Sequence, residues 1–105
     1  MRHMRDASRD ALAFVAGKTV AGLERDRMLA YALVRCIEIV GEAASNVSAA
    51  MRARFPEIPW VDASDMRNRL IHGYYAVDES RVWETVTRDL SALLPLLERA
   101  LASLP

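Results

Sequence analysis

The sequence predicts an all-α fold: one domain over residues 1–105, arranged as an antiparallel helical bundle of four main helices plus a short extra helix. Three observations carry this reading. Apolar residues recur three and four positions apart through most of the chain. No stretch alternates apolar and polar residues as a half-buried strand does. Four glycines and four prolines in 105 residues suit long helices joined by short turns. That length fits one domain and leaves no room for two.

The first helix runs from Met4 to about Val15, with Met4, Ala7, Ala11 and Phe14 at one spacing and Leu12 and Val15 alongside. His3 precedes it, in a terminus expected to fray. Gly17 and Gly22 bracket a connection through Lys18-Thr19-Val20-Ala21. The second helix is the clearest: Leu29, Ala32, Leu33, Cys36, Ile37, Val40 and Ala44 form one wide apolar stripe. On another face stand Arg35, Glu38 and Glu42, either as a solvated ion-pair ladder or as a polar stripe turned toward a site or a second subunit. Gly41 lies inside this helix, where it costs about 1 kcal/mol relative to Ala. With Ala44, Ser45 and Ser48 nearby, it predicts close approach of another helix backbone.

Residues 46–55 read as a short helix or turn that Pro56 stops. Glu57-Ile58-Pro59-Trp60 then reads as a rigid elbow with an aromatic plug into the core. Asp62 or Ser64 is expected to cap the next helix, which carries Asp65-Met66-Arg67-Asn68-Arg69-Leu70-Ile71-His72-Gly73-Tyr74-Tyr75, with Gly73 as its stop or kink. Asp78 is an N-cap for the last helix, with Glu79 in its first turn. Val82, Val86, Leu90, Leu93, Leu97 and Leu101 make that helix's stripe, broadened by Trp83 and Leu94. The stripe continues on both sides of Pro95, which predicts a kinked helix.

Composition excludes several classes. Hydrophobic residues at 52% and charged residues at 27% exclude a disordered chain. A formal net charge of zero argues against coating nucleic acid by bulk electrostatics, though not against a local basic patch. All basic residues but Lys18 are Arg, whose planar fork suits phosphate and carboxylate. Cys36 is the single cysteine, so no disulfide forms within the chain, and it reads as core filler. The charged N-terminus is not a signal peptide and no apolar run is long enough to span a membrane, so a cytoplasmic setting is expected.

The stretch from Asp65 to Tyr75 gathers the chemistry. On a regular helix, at about 100° per residue, Met66, Leu70 and Tyr74 share a face and Asn68 pairs with His72 at i, i+4. Arg67 and His72 diverge by about 140°, so acting on one group requires either a break near Gly73 or a second copy of the chain. Imidazole gives and takes protons near neutral pH. A guanidinium grips phosphate and stabilises added charge on phosphorus. An amide orients either partner. This set is sufficient for RNA cleavage without a metal, the ribose 2′-OH attacking its own phosphate. His72 has no second His, Cys or carboxylate at ligand spacing, so neither metal nor cofactor is called for. The same residues also have a purely structural account: a His near a helix C-terminus, and an Arg in surface ion pairs.

The segment Arg67-Asn68-Arg69-Leu70-Ile71-His72-Gly73-Tyr74 resembles the Arg-x4-His-x-Tyr motif of HepT-like toxins, a branch of the HEPN superfamily. Ile39-Val40-Gly41-Glu42-Ala43-Ala44 resembles that family's Gly-Glu-Ala segment, Phe55-Pro56-Glu57-Ile58-Pro59-Trp60 its Pro-x-Ile-Pro-Trp elbow, and residues 78–94 its last helix. The resemblance implies a HEPN-like bundle that dimerises with two motif helices facing across a cleft. It implies a metal-independent endoribonuclease toxin, with an MntA-like nucleotidyltransferase antitoxin as partner. Carried over residue by residue, Arg67 holds the scissile phosphate, His72 is general acid or base, Asn68 orients them, and Tyr74 receives AMP as the off switch. Arg69 is a further candidate RNA contact, outside the motif's requirement, and Tyr75 falls outside the pattern. The rival reading is a non-catalytic helical subunit that docks onto a nucleotidyltransferase, with Tyr74 as its target and His72 structural.

Overall fold

Helix α1 spans Arg2–Val15 and buries Met4, Ala7, Ala11 and Val15 on one face. The computed structural model describes the backbone of residues 1–72 and 76–105 and the side chains of residues 1–70 and 77–105. Met4 is fully buried, which anchors the first turn, so the helix starts before the expected position and includes His3. Ser8 is buried on the same face, its hydroxyl donating to the Met4 carbonyl at 2.7 Å. Gly17, at φ 74°, takes the left-handed conformation that turns the chain out of the helix. A short helix α2, Val20–Glu24, replaces the predicted bare connection. The Thr19 hydroxyl caps it by accepting from the Gly22 N–H at 3.0 Å, and Leu23 plugs it into the core.

Helix α3, Arg27–Ser45, is the central element, packed against both α1 and the helix that leads into the motif. Asp26 caps it by accepting from the Leu29 N–H at 3.0 Å. Leu33, Ile37, Val40 and Ala44 have no exposure to solvent, as the periodicity predicts. Cys36 is buried among them; burial pushes its thiol pKa up, and the nearby Asp10 carboxylate adds to the effect. The far end of α3 is closed by Arg52 of helix α4, Ala49–Arg54. Its guanidinium donates to the carbonyls of Ala44 at 2.9 Å and of Ser45 and Val47 at 3.2 Å. A cation on carbonyls at the C-terminal end of α3 suits the negative end of the helix.

The elbow forms as expected. Phe55, Ile58 and Trp60 are buried, and the Trp60 indole N–H donates to the Phe55 carbonyl at 3.0 Å. Helix α5, Trp60–Asp65, starts directly after Pro59, with Asp62 in its first turn and no side-chain cap. Neither Asp62 nor Ser64 caps it, because the helix begins earlier than the sequence reading placed it. It then tightens into a 3-10 turn, Met66–Arg69, and ends. The motif therefore does not lie on one regular helix. Asn68, β-branched Ile71 and Gly73 are poor helix formers, and a shared i→i+3 turn is a common way for a weak helix to finish. The backbone beyond runs as β1, Ile71–His72, antiparallel to β2, Ala76–Val77, with His72 opposite Ala76. The sequence carries no strand signal for this two-residue ladder, which leaves the fold all-α. Below it the Asp78 N–H donates to the Leu70 carbonyl at 2.8 Å.

Asp78 caps α6, Glu79–Glu84, by accepting from the Arg81 N–H at 3.2 Å. A π-helical segment, Thr85–Leu90, joins α6 to α7, Ser91–Ala102, so one long run carries the last apolar stripe. Val82, Val86, Leu90 and Leu97 are fully buried. Pro95 lies inside α7, as the unbroken stripe predicts. The irregularity sits upstream of it, where the Thr87 hydroxyl donates to the Trp83 carbonyl at 2.8 Å. Among the described residues, three long helical runs and three short helices make an all-α bundle. None of these helices is long and apolar enough to cross a membrane.

Gly41 decides how α3 meets α5. A Cβ there would stand 3.2 Å from the Ser64 carbonyl oxygen and 3.3 Å from that of Ala63. Replacement by leucine puts a full side chain into that contact. Gly41→Leu is expected to lower unfolding stability by about 1–3 kcal/mol, read as a lower urea midpoint. Gly41→Ala should change it much less, since better helix propensity offsets the tight contact.

Candidate active-site groove

The close passage of α3 over α5 leaves a polar groove of about 340 Å³ beside the 3-10 turn. Arg67 and Asn68 line one side; Glu38, Gly41, Glu42 and Ser45 of α3 line the other, with Ser64 of α5. The buried side chains of Met66 and Leu70 pin the turn on both sides of Arg67 and Asn68, which leaves those two exposed. Glu38 and Glu42 of the polar face of α3 thus look onto the motif segment, while Arg35 lies outside this groove.

Hydrogen-bond accounting sets the character of the groove. The Ser45 hydroxyl donates to the Gly41 carbonyl at 3.0 Å, and the Ser64 hydroxyl to the Trp60 carbonyl at 2.9 Å. Both protons are turned into the helices, so both oxygens offer lone pairs outward. Glu38 and Glu42 are acceptors when ionised. The Asn68 amide N–H lies 3.5 Å from an Asp65 carboxylate oxygen, at the limit of a hydrogen bond. Arg67 is the cation among these lining residues. Its Nε is 3.9 Å from a Glu38 carboxylate oxygen, with 59% of its side chain exposed. That is a loose pair, worth well under about 1 kcal/mol, and easily exchanged for a better anion.

The other site residues fall as follows. Arg69 points elsewhere: its guanidinium is 3.8 Å from a carboxylate oxygen of Asp89, in the π-helical segment. The backbone of His72 stands in β1, two residues past buried Leu70. Its side chain, and Tyr74 altogether, lie outside the described residues, as does the predicted stop at Gly73. The helical divergence of about 140° does not apply, because the regular helix ends before His72. Ending the helix early is one of the two ways by which Arg67 and His72 can share a target. Among the described residues no three His, Cys, Asp or Glu side chains gather as a metal site would require.

Sequence reasoning missed Ser45 and Ser64 as members of the groove, and offered Glu38 and Glu42 only as part of a polar face that could turn toward a site. The signal was there in Gly41, a helix-interior glycine flanked on its own face by carboxylates. Glu42 also borders a second groove, of about 250 Å³, with His3, Arg35 and Asn46.

Comparison with known proteins places this geometry. The family model described as "Ribonuclease HepT-like" matches residues 4–100. A protein named "Probable ribonuclease HepT" from Thermococcus cleftensis is 38% identical over 74 residues, covering 70% of this chain and 67% of that protein. A "Putative RNase" of Methanocaldococcus jannaschii is 31% identical over 90 residues, covering 86% of this chain and 74% of its own length. Another, from Caldanaerobacter subterraneus, is 34% identical over 79 residues, covering 75% and 70%. No solved structure matches the chain. A match from Met4 to Ala100, together with an all-α bundle whose motif turn borders a polar groove, means that this chain belongs to the HepT-like ribonuclease family.

Proposed function

We propose that the protein is a metal-independent endoribonuclease, the toxin of a toxin–antitoxin pair, with Arg67 and His72 at its catalytic centre. The observation that carries the reading is Arg67 itself: a weakly paired guanidinium held on a pinned turn at the mouth of a polar groove. Membership of the family supports the RNA substrate. Arg67 binds the scissile phosphate and neutralises the charge that builds on it. The 2′-OH loses its proton to a base and attacks phosphorus; the P–O5′ bond breaks as an acid protonates the leaving oxygen. His72 serves one of these proton transfers. Asn68 orients the phosphate or the ribose. Arg69, tied toward Asp89, serves as an outer RNA contact.

In this reading two copies of the chain pair with their motif segments facing one cleft. The toxin is silenced by an MntA-like nucleotidyltransferase that moves AMP from ATP onto the Tyr74 oxygen, releasing pyrophosphate. The added phosphodiester brings negative charge and bulk to the segment that must receive RNA, which disfavours binding.

Unmodified protein is expected to cut single-stranded RNA in excess EDTA, leaving 2′,3′-cyclic phosphate and 5′-OH ends. Arg67→Ala and His72→Ala should each lower the rate at least about 100-fold. Variants that cut like the parent, in an assay resolving end groups, would remove these residues from the chemistry. Wild-type protein shown by mass spectrometry to be unmodified at Tyr74, yet inert toward RNA, would favour the non-catalytic docking subunit.

Co-expression with the nucleotidyltransferase should add AMP in multiples to the mass and abolish cutting. Tyr74→Phe should escape both effects. Loss of cutting without any added mass would mean that the partner silences by binding alone.

A further inference from the structure

An RNA-cutting groove ordinarily collects positive charge, yet this one pairs one guanidinium with two carboxylates. Its lining offers acceptors almost throughout: Glu38, Glu42 and the outward lone pairs of Ser45 and Ser64, whose protons are spent on the Gly41 and Trp60 carbonyls. Phosphate oxygens are acceptors and gain nothing from such a wall, and the sugar brings a single O–H donor, its 2′-OH. The part of RNA that brings N–H donors is the base edge. Guanine presents two adjacent donors, N1–H and the N2 amino group, that match one carboxylate. Cytosine and adenine bring an amino group, and uracil brings a single N3–H between two carbonyl oxygens that a carboxylate repels.

We infer that Glu38 and Glu42 select the base next to the scissile phosphate, favouring guanine and disfavouring uracil. This rests on the assignment of Arg67 as the phosphate-binding group. The placement fits: Glu38 stands 3.9 Å from the Arg67 guanidinium, so a phosphate held by Arg67 puts its neighbouring base within reach of the α3 wall. The looseness of that ion pair matters, because the carboxylate must leave Arg67 to the phosphate and turn to the base. The groove, at about 340 Å³, accommodates one nucleobase. Glu42 lies one turn along α3 from Glu38, so the two carboxylates flank a single slot.

The test uses end-labelled uridine strands carrying one internal guanosine, cytidine or adenosine, beside an all-uridine strand. The unmodified protein should cut next to guanosine at least about tenfold faster than at any uridine. Glu38→Gln and Glu42→Gln keep shape but replace acceptors by an amide, and each should reduce the guanosine-to-uridine ratio severalfold. Equal cutting at all positions by the wild type overturns the inference and leaves the ribonuclease reading intact. So does a preference that both variants retain, or a variant that slows every strand by the same factor. A wild type that cuts no strand overturns the ribonuclease reading, and this inference with it.

Discussion

The contact on which the structure depends is the approach of α3 to the backbone of α5 at Gly41. Carbonyl oxygens of Ala63 and Ser64 stand within 3.3 Å of where any larger residue would place its Cβ. That closeness brings the polar face of α3 over the turn carrying Arg67 and Asn68. It also fixes the depth of the groove between them. A bulky residue such as leucine would separate the two elements and carry Glu38 and Glu42 away from Arg67. The glycine's helix-propensity cost, about 1 kcal/mol, is thus spent at the point where the scaffold meets its chemistry.

The scaffold was legible because burial imposes a period. Met4, Leu33, Ile37, Val40, Val82, Val86, Leu90 and Leu97 all sit where three-and-four spacing puts them in the core. Of the caps chosen from local chemistry, Asp78 held at the start of α6, while Asp62 and Ser64 did not cap α5. The errors lie where local geometry depends on the tertiary partner. Short α2 is held by one cap and one buried leucine, too little pattern to see in sequence. The motif turn looked helical because Met66 and Leu70 are four apart, and both are indeed buried. The 3-10 segment is a single turn that ends before Leu70, too short for one four-residue spacing to distinguish it from an α-helix.

The candidate site was half legible. Residue chemistry and family likeness picked out Arg67 and Asn68, and these two do share a groove. Of its opposite wall, Glu38 and Glu42 were legible only as a polar face that could turn toward a site, because they lie far from the motif in sequence. Arg69 was drawn in by proximity in sequence, and the turn sets it outside the groove, 3.8 Å from an Asp89 carboxylate oxygen. The neutral composition, set against an RNA substrate, is also easier to understand in three dimensions. Two of the fourteen acidic side chains, Glu38 and Glu42, face the motif turn, so the charge around Arg67 is set locally and not by the net charge of the chain.

In the proposed reaction the RNA supplies its own nucleophile, and the protein moves protons and stabilises charge. This is tested most directly by replacing the ribose at the cut position of a defined RNA strand with 2′-deoxyribose, leaving every other sugar unchanged. The account predicts that cutting at that phosphodiester disappears while the strand still competes for binding. Cutting that persists there would mean that another nucleophile attacks the phosphate, and would contradict it.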